Sequence, residues 1–237
     1  MQPSSFLIAV FEFVLILFSL SVHECAHAWM ASLLGDQTAR LQGRITLNPM
    51  YHADPIGTLL FPAIMIFGPF FGLSMFGGML VGWAKPTPVI TRNFRKIVRD
   101  DNLTTLAGPA SNLLIVLVAF IVLAVVSVAV PNGHQLALII FMGGIVQGMP
   151  PSLQALLLLC RLAILINLSL CFFNLLPIPP LDGSRVARNM LPYNAVQVYD
   201  RMNIWISYLL MIFVGRYVIM ALLGPSLGVV YWALIHI

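Results

Sequence analysis

The chain has 237 residues, of which 60% are hydrophobic and only 8% are charged. Soluble proteins carry roughly 25% charged residues, so this composition excludes an ordinary soluble protein and indicates an integral membrane protein. A net charge of +4 could indicate nucleic-acid binding in a soluble chain. Here the basic residues lie in short loops, where membrane topology explains them better, and we expect no nucleic-acid partner.

Five apolar blocks are each close to the roughly 20 residues that cross a bilayer as a helix. They cover residues 6–34, 56–81, 103–130, 153–180 and 204–223. Helix breakers interrupt the second block at Gly68-Pro69 and stop the fifth at Gly224-Pro225. The apolar tail at residues 226–237 is expected to be too short to span. The pattern predicts an all-α polytopic membrane protein with about five or six transmembrane helices.

The loops between the blocks differ in charge. Residues 82–102 contain five Lys and Arg residues and residues 181–203 contain three, whereas residues 131–152 contain none. Because cytoplasmic loops are enriched in Lys and Arg, the first two loops are predicted to be cytoplasmic and the third external.

The first block contains the run His23-Glu24-Cys25-Ala26-His27. On a helix, HExxH places two imidazoles at positions i and i+4 of one face, where both can bind one zinc ion. The glutamate between them can serve as the general base of a metalloprotease. Three polar residues in five positions of a lipid-facing segment are costly without such a role, so the motif indicates proteolysis within the bilayer.

A catalytic zinc site usually has three protein ligands and one open position. The chain has no Glu after Glu24, and no further His follows on the HExxH helix. Among the remaining Asp and His residues, Asp182 stands out because it follows an apolar block and a Pro-rich break. An acid at membrane depth indicates function. The other aspartates lie in charged loops, and we expect them to be solvated.

The position of Asp182 bears on the second block. If that block spans the membrane, His23 lies about 25 Å from the cytoplasmic end of its helix. If it is a re-entrant hairpin that folds back at Gly68-Pro69, His23 lies roughly 17 Å from the cytoplasmic side. Asp182 is predicted near that side, so the metal site favours the re-entrant arrangement, shielded from lipid by the other helices.

Three motifs together resemble the site-2 protease (M50) family of intramembrane zinc metalloproteases. They are the HExxH run, AGPASN at residues 107–112 and NLLPIPPLDG at residues 174–183. The run GWAKPTPV at residues 82–89 also resembles the extended, membrane-associated strand region of short bacterial members. The resemblance covers most of residues 20–190. It implies a re-entrant hairpin or strand region between the HExxH helix and the AGPASN helix.

The resemblance also implies roles for individual residues. One zinc ion per chain is expected on three ligands, His23, His27 and Asp182. Glu24 is expected to be the general base. Asn112 and Asn174 are expected to line the active site, where they hold the substrate backbone or the oxyanion. Residues 108–110 are expected to be small in order to permit close helix packing.

Structural alternatives stay open for these residues. Asn112 and Asn174 could instead serve as hydrogen-bonding links between helices. Asp182 could belong to the C-terminal turn of a helix and pair with Arg185 or Arg188. His52 is expected to stabilise a loop.

The sequence therefore predicts a single integral-membrane peptidase domain over residues 1–237, with a catalytic core at about 6–190 and a C-terminal helix and tail at 203–237. The predicted function is an intramembrane zinc endopeptidase that cleaves transmembrane segments of membrane proteins. Its expected location is a bacterial or archaeal cell membrane, with the active site towards the cytoplasm. The alternatives are a catalytically silent scaffold of the same fold and a metal transporter.

Overall fold

The computed structural model describes residues 3–73 and 84–237, and regular structure in these ranges is helical, with no strand. Four helical stretches are long and apolar enough to cross a membrane, at Ser5–Leu34, Ile97–Ala129, Pro151–Asn174 and Tyr217–Ile235. Two shorter apolar stretches lie at Pro55–Phe71 and Ile204–Gly215. The chain is therefore an all-helical membrane protein. The predicted count of five or six transmembrane helices is not confirmed.

The helices divide into two compact units, Met1–Ser111 and Asn112–Ile237. The first unit contains the helices α1 (Pro3–Leu34), α2 (Thr38–Leu41) and α3 (Phe61–Phe67). Short 3₁₀ and π-helical turns lie between and after them, at Pro49–Tyr51, Pro55–Leu60, Gly68–Phe71 and Thr91–Asn93. Helix α4 (Ile97–Ala129) begins in the first unit and ends in the second.

The second unit continues with six helices, α5 (Gly133–Phe141), α6 (Pro151–Asn174), α7 (Asp182–Met190), α8 (Tyr193–Asp200), α9 (Ile204–Leu210) and α10 (Arg216–Ile235). A π-helical turn, Met211–Gly215, joins α9 to α10. Helix α10 packs on both α5 and α6. Whether the two units form one peptidase domain stays a prediction.

Helix α10 contradicts the prediction for the end of the chain. The helix was expected to stop at Gly224-Pro225, but it continues through Pro225 to Ile235. The tail is thus part of a candidate membrane span and is not a separate, short segment. Membrane helices tolerate proline because neighbouring groups and local adjustment satisfy the backbone that proline leaves unpaired.

The second apolar block is only partly described. Its helical part, Pro55–Phe71, is too short to count as a candidate span. Residues 74–81, the rest of the block, lie outside the described residues, so the re-entrant hairpin stays a prediction.

The carboxylate of Asp36 fixes the end of α1. Gly35 ends the helix with φ +118°, a conformation that favours glycine. Asp36 is fully buried and accepts hydrogen bonds from Thr38, from the Ile90 N–H and from the Asn93 amide. Burial raises the pKa of Asp36, but these hydrogen bonds outweigh burial and lower it. The carboxylate therefore joins the end of α1 to residues 90–93.

The expectation that the loop aspartates are solvated is wrong for three of them. Asp36, Asp100 and Asp101 are all buried. Asp100 accepts the Lys96 N–H at 2.8 Å at the start of α4, where a negative charge also interacts favourably with the helix dipole. Asp36 and Asp100 thus stabilise helix ends through backbone donors that their loop position in the sequence does not reveal.

Candidate metal centre

The imidazoles of His23 and His27 meet on one face of α1. Both side chains are buried, and their Nε2 atoms lie 3.1 Å apart. The rings are nearly perpendicular, with an interplanar angle of 85°. The HExxH spacing thus brings two nitrogen ligands together, as the sequence predicts.

Helix α4 sets the tautomer of His27. Its Nδ1 lies 2.7 Å from the carbonyl oxygen of Thr104. A carbonyl can only accept, so Nδ1 carries the proton and Nε2 presents its lone pair. A hydrogen bond from the second ring nitrogen to a carbonyl is the usual way in which proteins orient a metal-binding histidine. Thr104 was not identified from the sequence.

Gly108 of α4 leaves open the space beside the two Nε2 atoms. A Cβ at this position would lie 2.6 Å from Nε2 of His23 and still closer to Nε2 of His27. Any other residue would therefore collide with both imidazoles. The sequence predicts Gly108 as a small packing residue, and the structure shows that it packs against the histidine pair.

The two histidines fit a shared zinc ion. Two nitrogens bound to one tetrahedral zinc at 2.0–2.1 Å lie about 3.3 Å apart, close to the observed 3.1 Å. Three further features agree with zinc binding. They are the lone pair on Nε2 of His27, the orienting hydrogen bond at its Nδ1 and the space beside Gly108. In the first unit, the described residues supply two of the three protein ligands that catalytic zinc needs.

The carboxylate of Glu24 is held by the segment after residue 83. The N–H and the hydroxyl of Thr87 both donate to Glu24 Oε2, at 3.0 and 2.7 Å. The same hydroxyl lies 3.1 Å from the carbonyl oxygen of Glu24. These bonds from Thr87 hold the side chain of Glu24 against α1. They use Oε2 and not Oε1, the second carboxylate oxygen.

The strand predicted at residues 82–89 is not confirmed. Gly82 and Trp83 lie outside the described residues, and residues 84–90 have no regular secondary structure. The Lys85 N–H donates to the carbonyl oxygen of His52, and the Thr87 N–H donates to Oε2 of Glu24. Residues 86 and 88 are prolines without an N–H. The described segment at residues 84–90 thus has few backbone donors left relative to its carbonyl groups.

Asp182 belongs to the second unit, where it is half-buried as the first residue of α7. It therefore does not lie in the C-terminal turn of a helix, as the structural alternative assumed. A carboxylate in the first helical turn is favoured by the helix dipole. Arg188, one of its suggested partners, makes a two-bond ion pair with Asp200, with both distances 2.8 Å.

Close packing positions Asp182. A Cβ on Gly183 would lie 2.6 Å from the Leu176 carbonyl oxygen and closer still to that of Leu175. Glycine is needed here because the start of α7 rests directly on the end of α6. Ser184 caps the turn by donating to the Leu181 carbonyl at 2.6 Å. The Pro-rich break and the glycine therefore fix the position of Asp182 at the start of α7.

The two predicted asparagines differ in their surroundings. Asn112 is fully buried and donates to Oδ1 of Asn167 at 2.8 Å, while Asn167 donates to the Ala163 carbonyl. Asn174, the last residue of α6, donates to the carbonyl of Leu170 in its own helix. Asn167 was missed by the sequence analysis, although a lone amide inside an apolar span is a recognisable signal.

His52 has the structural role that the sequence predicts. It is buried, its Nε2 lies 2.8 Å from the Thr46 carbonyl oxygen, and its own carbonyl accepts the Lys85 N–H. It therefore joins two loops of the first unit.

Comparison with known proteins identifies the family of the chain. The family model "Peptidase family M50" matches residues 11–215. The chain therefore belongs to peptidase family M50, the site-2 protease family of zinc metalloproteases. No solved structure matches the chain.

Three curated relatives share the printed name "Putative zinc metalloprotease". YwhC of Bacillus subtilis is 36% identical over 179 residues, which is 76% of this chain and 68% of that protein. Rip2 of Mycolicibacterium smegmatis is 29% identical over 70% of this chain and 52% of that protein. Rip2 of Mycobacterium tuberculosis is 27% identical over 91% of this chain and 70% of that protein.

The Gly108→Ala substitution tests the packing of α4 on the histidines. The added methyl group collides with both Nε2 atoms, so we expect roughly 10–100-fold weaker zinc binding, the loss typical of disturbed metal surroundings. Zinc per purified chain, measured by atomic emission against a chelator series, gives the result. Gly224→Ala is the matched control because a Cβ there meets no atom within 4 Å. Equal zinc affinity in both variants would contradict the packing argument.

The Thr87→Val substitution tests how Glu24 is held. It removes the hydroxyl bond but keeps the backbone one, so we expect a kcat for peptide cleavage roughly tenfold lower, with little change in KM. Thr87→Ser restores the hydroxyl and should recover most of the rate. Single-turnover cleavage in detergent, with zinc content as a check, provides the measurement. A Val variant as fast as the Ser variant would show that Thr87 does not position Glu24 for cleavage.

Proposed function

We propose that the chain is an intramembrane zinc endopeptidase that hydrolyses a peptide bond within a transmembrane segment of a protein substrate. The observation that carries this proposal is the pair of Nε2 atoms of His23 and His27, 3.1 Å apart in a helix suited to cross a membrane. Membership of family M50 supports it, since the curated relatives are named as zinc metalloproteases.

One zinc ion per chain is proposed on His23, His27 and Asp182. Each side chain offers a ligand atom that zinc accepts, an imidazole nitrogen twice and a carboxylate oxygen once. Such a set leaves a position open for catalysis. When bound, zinc supplies a Lewis acid for the scissile carbonyl and makes water acidic enough to attack near neutral pH.

Glu24 is the proposed general base. Its Oε2 is occupied by the two hydrogen bonds from Thr87, so Oε1 is the oxygen that takes the proton from the attacking water. The same carboxyl group then delivers that proton to the leaving amine. Thr87 acts in this scheme as a positioning residue, because it contacts the base and not the substrate.

Asn112 and Asn174 are proposed to contact the substrate backbone or the oxyanion. In support, Asn112 lies one helical turn after Gly108 on α4, and positions i and i+4 share a face. The Asn112 side chain is oriented by Asn167. Asn174 lies at the end of α6, just before the Pro-rich break that leads to Asp182.

The substrate must unwind before it can be cut. In a transmembrane helix every carbonyl is hydrogen-bonded within the helix, so the scissile carbonyl has to be released first. Unwinding also frees substrate N–H groups. The segment at residues 84–90 lies against Glu24 and is rich in carbonyl acceptors, which makes it a suitable surface for those donors.

The active site is proposed to face the cytoplasmic side of a cell membrane. His23 lies 11 residues before the end of α1, about 17 Å along the helix axis. The segment that follows, together with residues 84–102, contains most of the Lys and Arg residues of the first unit, as expected for the cytoplasmic side.

The Glu24→Gln substitution tests the proposed mechanism. The amide cannot take a proton, so we expect cleavage of a reporter transmembrane substrate in proteoliposomes to fall at least roughly 1,000-fold. The zinc ligands are unchanged, and one zinc ion per chain should remain. Asp200→Asn, which removes an exposed acid of the second unit, is the control and should keep its activity.

Retained cleavage by the Glu24→Gln protein would disprove general-base catalysis by this residue. The same preparation separates the two alternatives. Wild-type protein that holds zinc but cuts no substrate would indicate a scaffold. Zinc flux across the vesicle wall, with rapidly exchanging zinc, would indicate a transporter.

A further inference from the structure

A cavity of about 360 Å³ lies in the second unit, away from the Pro-rich break and α7. Its walls come from the end of α5, the middle of α6 and the last turns of α10, and include Phe141, Met142, Arg161, Leu165, Gly228 and Tyr231. Apart from one guanidinium and one phenol group, this lining is apolar. The volume is in the range of small-ligand sites.

Arg161 is the unusual member of this lining, because it lies eleven positions into a candidate membrane span. A charged residue within a membrane helix is costly and points to a function or a partner. Its Nε donates to the Phe141 carbonyl at the C-terminus of α5, at 3.0 Å. This bond fixes the plane of the guanidinium and uses one of its five N–H donors.

The remaining donors of Arg161 need an anion. No Asp or Glu occurs in the sequence between Asp101 and Asp182. Among the residues that the structure describes, no acceptor other than the Phe141 carbonyl bonds this guanidinium. Gly143, with φ +88°, leaves the space beside Nη2 open, because a Cβ there would lie 3.2 Å from that atom. The cavity thus presents fixed positive donors inside apolar walls.

The aromatic residues of α10 place the cavity near one membrane surface. Tyr231 lies four residues before the end of α10, about 6 Å along its axis. The next residue, Trp232, is exposed and stacks on His236 with ring centroids 4.4 Å apart. Tyr and Trp concentrate at the level of lipid headgroups. Arg161 lines the same cavity as Tyr231, and its long side chain lets the guanidinium lie towards this surface while its backbone stays within the span.

We propose that this cavity binds one anionic phospholipid, with its phosphodiester on the Nη atoms of Arg161 and its chains along α6 and α10. Guanidinium groups bind phosphate through paired hydrogen bonds. A zwitterionic lipid would bring an ammonium group to a region without a carboxylate. Helix α10 is the least buried candidate span, so a lipid can reach the cavity from the bilayer.

Native mass spectrometry of the full-length, delipidated protein tests this site. Titration with phosphatidylglycerol should give one retained lipid per chain, while phosphatidylcholine should be retained at least tenfold less, as expected without a charge-assisted pair. Arg161→Gln should weaken phosphatidylglycerol binding roughly tenfold. Arg201→Gln, which removes an exposed arginine of the same unit, should bind like the wild type.

A second variant keeps Arg161 in place. A side chain at Gly228 meets no atom within 4 Å of its Cβ, so Gly228→Phe fills the cavity and should also abolish the retained lipid. Gly224→Phe, one turn earlier on α10 and equally open, should not. This pair distinguishes loss of the site from misfolding of the Arg161 variant.

Three outcomes would overturn the proposal. They are wild-type lipid binding by both the Arg161→Gln and the Gly228→Phe proteins, equal retention of the two lipids, or displacement of the lipid by millimolar inorganic phosphate. The last result would identify free phosphate as the ligand. Because the readout is bound lipid, none of these outcomes depends on whether the chain cleaves peptides.

Discussion

Two imidazoles buried in a lipid-spanning helix are the constraint from which the rest of the first unit follows. Each ring has two polar nitrogens, and burying them without partners is costly. The Thr104 carbonyl takes the Nδ1 proton of His27, while the two Nε2 atoms face each other at 3.1 Å. Gly108 keeps α4 from closing on the space beside these atoms, where a shared cation is proposed.

The irregular segment before α4 is held in the same way. Two carboxylates in or just after α1 accept hydrogen bonds from this segment. Glu24 accepts from Thr87, and Asp36 accepts from Ile90 and Asn93. These bonds satisfy backbone donors that no helix or strand pairs. The carboxylate of Glu24, the proposed base, therefore also holds the segment at residues 84–90 in place.

The sequence predicts the elements that depend on local pattern. The membrane class, the C-terminal end of α1 and the pairing of His23 with His27 follow from composition, breakers and helical spacing, and the structure confirms them. The fourth apolar block was predicted to run to residue 180, but α6 ends at Asn174, before the Pro-rich run. The end of α10 was predicted wrongly because Pro225 is a breaker in water but not in a membrane helix. Helix-breaker rules taken from water-soluble proteins therefore fail for a helix within a membrane.

The groups that orient the site could not be read from the sequence. Thr87 and Thr104 lie 63 and 77 residues from their partners, and neither belongs to a motif. Asp36 has the sequence context of an exposed loop acid, yet three residues, Thr38, Ile90 and Asn93, donate hydrogen bonds to it. Such contacts arise from tertiary packing, which single-sequence spacing does not encode. Asp182, the proposed third zinc ligand, was identified by chemical elimination and family resemblance.

X-ray absorption at the zinc edge of the purified wild-type protein measures the ligands of the proposed site. We expect one zinc per chain, with two imidazole nitrogens and at least one oxygen at about 2.0–2.2 Å and no sulfur. A first shell with one imidazole or none, or with a thiolate at about 2.3 Å, would contradict the proposed site.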